Sequence, residues 1–172
     1  MRVGKVDLGG RLKHFSKEWG KLTSDPFVLD CIGGCKIDFT SIPCQTNLPS
    51  ELKFNKEETE ALQELIKEME SDKIVEKCVL EHGDYVSNVF LREKKDRDEE
   101  GKKKYRMILN LKKLNRHVKY VHFEMEFLED CLNLMEKDCY MGSIDIKSAY
   151  HHFPIDHSFT RWLKFRVNNQ VY

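Results

Sequence analysis

The chain has 172 residues, of which 40% are hydrophobic and ten are Phe, enough apolar material for a core and too much for a disordered polymer. Lys+Arg and Asp+Glu each number 29, so the formal net charge is zero and the chain as a whole is not a basic nucleic-acid-binding tail. No apolar run reaches the length of a membrane span, and Met1-Arg2-Val3-Gly4 opens no apolar h-region, so a soluble intracellular protein, cytoplasmic or nuclear, is expected.

The zero sum hides a segregation. Residues 51–76 hold nine acids and four bases, whereas residues 92–120 hold twelve bases and five acids. A basic block with Tyr105 inside it suits a phosphate-binding surface, and equally a solvated hairpin. The six cysteines form no C-x-x-C pair and are not spaced with histidines as a zinc site would be, so free thiols in a reducing compartment are expected.

Three sections follow in chain order, expected as units over 1–48, 49–120 and 121–172. In the first, Leu12, Phe15, Trp19 and Leu22 lie on one face of a short helix. Ser24-Asp25-Pro26 starts a second helix that Gly33-Gly34 stops, and Lys36–Phe39 alternates as a strand. In the second, Asn55 and Glu58 form a capping-box pattern. They open a helix with Leu62, Leu65, Ile66 and Met69 on one face and glutamates on the other. Ile74–Leu80 and Val86–Arg92 read as strands, Lys94–Lys104 as a charged loop, and Tyr105–Leu111 as a half-buried strand.

The third section contains an amphipathic helix marked by Phe127, Leu128, Cys131, Leu132 and Met135. Met141–Ile146 reads as a strand, Lys147–His151 as a tight helical turn and Arg161–Val167 as a strand. Asn168-Asn169 then turns the chain into a return strand at Gln170-Val171-Tyr172. A return strand of three residues leaves a sheet edge open, so the sequence is expected to be incomplete.

The run Ser143-Ile-Asp145-Ile-Lys-Ser-Ala149-Tyr150-His-His-Phe-Pro-Ile155 puts Asp145 at the end of an apolar strand, with a small residue and an aromatic four and five positions on. On residues alone Asp145 reads as a cap for the next turn. The whole string, however, resembles the first palm motif of reverse transcriptases. Ser87-Asn-Val-Phe-Leu-Arg-Glu-Lys94-Lys95-Asp96 and Lys104-Tyr105-Arg106-Met-Ile-Leu-Asn110-Leu-Lys112-Lys-Leu-Asn115 are similar to the fingers hairpin of that family. There P-V-F-x-x-x-K-K and W-R-x-x-x-D-x-R-x-L-N are usual; Asn88, Asn110 and Lys112 depart from the pattern. Gly9-Gly10-Arg11-Leu12, Trp19, Leu22–Asp25 and Gly34–Ile37 resemble the segment leading into the polymerase of DIRS-type retroelements.

The resemblance implies an α+β chain comprising a mainly helical N-terminal extension, the fingers and a partial palm of a right-hand polymerase. The parent activity it implies is RNA-directed DNA synthesis on an RNA template and DNA primer, from dNTPs, with Mg²⁺ or Mn²⁺. Asp145 and the main-chain carbonyl of Ile146 would ligate metal, as two-metal catalysis requires. Lys94 would reach the γ-phosphate and Arg106 the base and α-phosphate of the incoming nucleotide. Ala149 and Tyr150 would border the nucleotide, with the Tyr150 ring excluding a 2′-hydroxyl. Lys95, Lys102, Lys103 and Lys104 would attract nucleic-acid phosphates. The family's aromatic-x-Asp-Asp turn has no counterpart in these 172 residues. Asp138 and Asp156 lie in no matching motif. The chain alone is therefore expected to be a truncated, inactive polymerase domain. A non-catalytic nucleic-acid-binding fragment and a decayed retroelement remnant remain the alternatives.

Overall fold

A computed structural model describes residues 7–97, 101–125 and 127–172; the Met1–Gly4 start and residues 98–100 of the charged loop lie outside the described residues. The architecture is mixed α and β. Its first part is helical: a 3₁₀ turn Arg11–Phe15 runs into α1 (Ser16–Leu22), followed by α2 (Pro26–Gly34). Asp25 caps α2 by accepting from the Phe27 N–H at 2.9 Å, with Pro26 in the first turn where a missing N–H does no harm.

The Asn55/Glu58 box opens α3 (Lys56–Ser71): Glu58 N–H donates to the Asn55 side chain at 2.9 Å and Asn55 N–H to the Glu58 carboxylate at 3.0 Å. Leu62 and Ile66 are buried on one face, each worth about 1.5–3 kcal/mol of burial. Beyond the helix come β1 (Val86–Ser87), β2 (Val89–Arg97) and β3 (Lys103–Leu109). The expected loop over 94–104 is shorter than its charge suggests, because the antiparallel β2–β3 ladder runs out to the pair Arg97–Lys103. Gly101, with φ of 80°, supplies the left-handed residue at the tip.

After a 3₁₀ turn at Leu114–Arg116 the chain forms α4 (Leu128–Asn133), a second 3₁₀ turn at Ala149–His152, α5 (His157–Thr160), β4 (Lys164–Val167) and β5 (Gln170–Val171). Asn168 and Asn169 have φ of 50° and 65°, the positive pair that a two-residue hairpin turn demands. The Glu51 carboxylate holds this turn, accepting from Asn168 N–H at 3.0 Å and from Arg166 Nε at 2.7 Å.

β4 lies between β1, which it pairs in parallel, and β5, which it pairs antiparallel. The free edge of β1 is covered by Gln45, whose side-chain amide donates to the Val86 carbonyl and accepts from its N–H, both at 3.0 Å. Leu62, Ile66, Val89, Phe165 and Val167 form the core, with Leu91, Met107 and Leu109 packed against it. The inner face of the hairpin thus lies on α3 and β4.

Three expected strands are not strands. Lys36–Phe39 makes single bridges at its ends, Cys35 to Ile155 and Phe39 to Val118, and 74–80 makes one, Cys78 to Val171. Met141–Ile146 pairs with nothing among the described residues, and Ile144 is 92% exposed. Alternation makes a strand only where a partner offers a ladder, and among the described residues these segments find isolated bridges or no pairing. The helix around residue 130 also differs from expectation. It is six residues long, capped by Asp130 accepting from Phe127 N–H at 2.7 Å, and Phe127, Leu128, Leu132 and Met135 are all exposed.

Candidate functional site

Successive side chains of a strand point to opposite faces, so the β2–β3 hairpin has two faces of different chemistry. The inner face carries the cross-strand pairs Val89–Leu109, Leu91–Met107 and Glu93–Tyr105. Its charges are satisfied. Glu93 accepts Lys103 at 3.3 Å and Arg97 at 3.5 Å, and the Tyr105 hydroxyl donates to the Glu57 carboxylate at 3.1 Å. Burial and then that carboxylate push the Tyr105 hydroxyl above its ordinary value, and the Glu93 hydrogen bond raises Lys103. Lys103 is therefore committed within the hairpin.

The outer face carries Phe90 opposite Ile108 and Arg92 opposite Arg106, with Lys94 two residues beyond Arg92 on the same strand. Arg92, Lys94, Lys95, Arg106 and Ile108 line one shallow cleft of about 260 Å³, together with the acids Glu93 and Asp96. Among the described residues no side-chain hydrogen bond or ion pair engages Arg92, Lys94 or Arg106. The hairpin thus brings Lys94, Lys95 and Arg106 together, and adds Arg92, which the sequence reading did not single out. Counting back two residues from Lys94 along an alternating strand is the signal that finds it. Lys102 and Lys104 are exposed near the tip.

Asp145 lies elsewhere in character. It sits in the unpaired, exposed run 141–146, and Ile146 is 58% exposed. Ala149 and Tyr150 lie on the 3₁₀ turn entered through Ser148 at φ 54°, with Tyr150 91% exposed. No hydrogen bond or strand pairing among the described residues joins Asp145 to the hairpin. A divalent cation shared by two reacting oxygens needs a group of carboxylates. No group of three or more His, Cys, Asp or Glu suited to a metal occurs among the described residues. Asp156 is spent as the cap of α5, accepting from Ser158 N–H at 2.9 Å and Oγ at 2.6 Å, contacts that hold its carboxyl below the ordinary carboxylate range.

The N-terminal part grips the C-terminal end of this motif. Gly10 N–H donates to the His151 carbonyl, and Cys35 N–H to the Pro154 carbonyl, each at 2.8 Å; Asp156 N–H returns to the Cys35 carbonyl at 3.0 Å. Gly10, at φ 62°, and Gly34 let the backbones approach: a Cβ on Gly10 would meet Pro154 at 3.1 Å, and one on Gly34 would meet Asp156 at 3.3 Å. This contact depends on residues more than a hundred positions apart and has no local signature.

Comparison with known proteins gives one distant similarity. The chain is 25% identical over 115 residues to the Retrovirus-related Pol polyprotein from transposon 412 of Drosophila melanogaster. The match covers 67% of this chain and 9% of that polyprotein, so the chain spans a small part of its relative's length. No family model matches. The similarity relates the chain to retroelements. No helix among the described residues is long and apolar enough to cross a membrane.

Proposed function

We propose that the chain is the fingers and opening palm segment of a retroelement reverse transcriptase, of DIRS type, working inside the cell, and that its hairpin cleft binds the phosphates of an incoming deoxynucleoside triphosphate. The observation that carries this reading is that Lys94 and Arg106 line one cleft with neither held by an ion pair among the described residues, while Glu93 there is engaged by Lys103 and Arg97. Cations gathered in one cleft repel one another, and an anion between them removes that cost. The retroelement similarity supports the same reading. The parent reaction is transfer of a nucleotide to a primer 3′-hydroxyl on an RNA template, with pyrophosphate leaving. This chain's contribution is to hold the triphosphate, with Tyr150 against the sugar and Asp145 and Ile146 as the metal-side residues of the complete enzyme.

Titrating dTTP into the 172-residue protein tests the cleft. Lys94→Ala and Arg106→Ala should each weaken binding about tenfold, as loss of a charge-assisted hydrogen bond does. Unchanged affinity in both variants would sink the reading. In a primer-extension assay the chain alone should incorporate nothing; incorporation abolished by Asp145→Ala would overturn that part.

The exposed basic tip of the hairpin favours a second reading, a non-catalytic nucleic-acid-binding chain. Its mark would be salt-sensitive binding of single-stranded RNA or DNA that falls when Lys95, Lys102 and Lys104 are replaced by Ala. If those replacements left binding unchanged, that reading would fail.

A further inference from the structure

The pair at the centre of the outer face is the least expected feature of the hairpin. Arg92 and Arg106 are direct cross-strand partners. Residues so placed have Cβ atoms about 4.5–5.5 Å apart, and like charges there destabilise a ladder. Two other cations of the hairpin, Lys103 and Arg97, share Glu93. The outer arginines have no such acid among the described residues, and Asp96 is the remaining acid lining the cleft.

We infer that Arg92 is a third phosphate-binding residue of this cleft, converging with Arg106 on one phosphate group while Lys94 takes the next, so that the site selects a polyphosphate chain over a single phosphate. The inference rests on the reading of the cleft as a nucleotide-phosphate site. Two guanidinium forks opposite each other can surround one phosphate with several donors. Lys94 lies diagonally from Arg106, its backbone about 7–8 Å away, so its ammonium can meet the next phosphate of a chain that the two arginines hold. Four cations line the cleft; Glu93 is engaged by Lys103 and Arg97, which leaves Asp96 as the opposing acid and a positive balance for an anion of several charges.

The test uses the full 172-residue chain at fixed salt, with dTTP, inorganic tripolyphosphate and dTMP as probes. Arg92→Ala should weaken dTTP, tripolyphosphate and dTMP alike, about tenfold, with Arg92→Lys between, whereas Lys94→Ala should weaken dTTP and tripolyphosphate about tenfold and dTMP less than about twofold. Without ligand, Arg92→Ala should melt at or above the wild-type temperature, because relieving like-charge repulsion has the opposite sign from losing a structural contact. If Lys94→Ala and Arg106→Ala weaken dTTP binding but Arg92→Ala does not, the inference fails and the cleft reading stands. If none of the three has an effect, the cleft reading itself fails. Equal losses for dTMP and dTTP in Lys94→Ala would overturn the selectivity for a polyphosphate.

Discussion

Replacing Asp84 by Asn should destabilise the fold through a charge pair that ties β1 to β4. Asp84 is buried, and its Oδ2 accepts from Lys164 Nζ at 2.6 Å and from Glu81 N–H at 2.7 Å, with Arg161 Nε 3.8 Å from Oδ1. The Lys164 side chain is 14% exposed and keeps one other acceptor, the Val79 carbonyl at 3.0 Å. Asn preserves shape and removes the charge, leaving a buried ammonium half-satisfied. Breaking such a pair costs about 3–5 kcal/mol, and the Val79 contact favours the lower end, about 3 kcal/mol. For a chain of this size that lowers Tm by about 6–12 °C.

The pH dependence has a definite sign. Burial pushes the Asp84 carboxyl up, but the Lys164 hydrogen bond, the Glu81 N–H and the Lys164 and Arg161 charges outweigh it and leave it below the ordinary 3.8. The contribution is therefore complete above pH 3.8 and is lost as pH falls below it. Urea denaturation at a series of pH values would measure this. The gap between wild type and Asp84→Asn should be full at pH 7 and close in acid. Adding Lys164→Met to Asp84→Asn should recover much of the loss, since no charge is then left buried. A gap under about 1 kcal/mol at pH 7, or one that widens in acid, would refute the reasoning.

Other substitutions have equally specific outcomes. Gly9→Ala should abolish the docking of the N-terminal part, because a Cβ there would overlap the Lys73 carbonyl; faster amide exchange at residues 9 and 10 would report it, and unchanged protection would contradict it. Gln45→Ala should cost about 1–3 kcal/mol in chemical denaturation, since it strips both partners from the buried Val86 backbone; a neutral result would mean that solvent reaches this edge. Alkylation at pH 8 should modify the exposed Cys44, Cys131 and Cys139 before Cys35, as mass spectrometry can follow. Burial and then neighbouring Cys31 push the Cys35 thiol up to about 11, leaving little thiolate; early modification of Cys35 would contradict this.

What the sequence made legible was local. The Asn55/Glu58 box, the Asp25-Pro26 start and the Asn168-Asn169 turn each depend on neighbours within a few residues, and all three form. The hairpin followed from alternation, although its charged tip hid how far the ladder extends. Strands at 36–39, 74–80 and 141–146 failed because the pattern states a preference and the partner must come from elsewhere. The Asp84–Lys164 pair and the edge cover from Gln45 join residues 80 and 41 positions apart. Within the candidate site, Lys94 and Arg106 were named together by the motif resemblance alone, since Lys94 was expected in a loop. That Lys103 is committed to Glu93, and that Arg92 faces Arg106, required the register.

The central claim is that the outer face of the hairpin takes a nucleoside triphosphate. The most direct measurement is a ¹H–¹⁵N correlation spectrum of the labelled chain during a dTTP titration. Amide shifts should concentrate at residues 90–97 and 103–108, saturate together and disappear from the Lys94→Ala/Arg106→Ala double variant. Shifts confined to other parts of the chain, or none up to millimolar dTTP, would contradict the account.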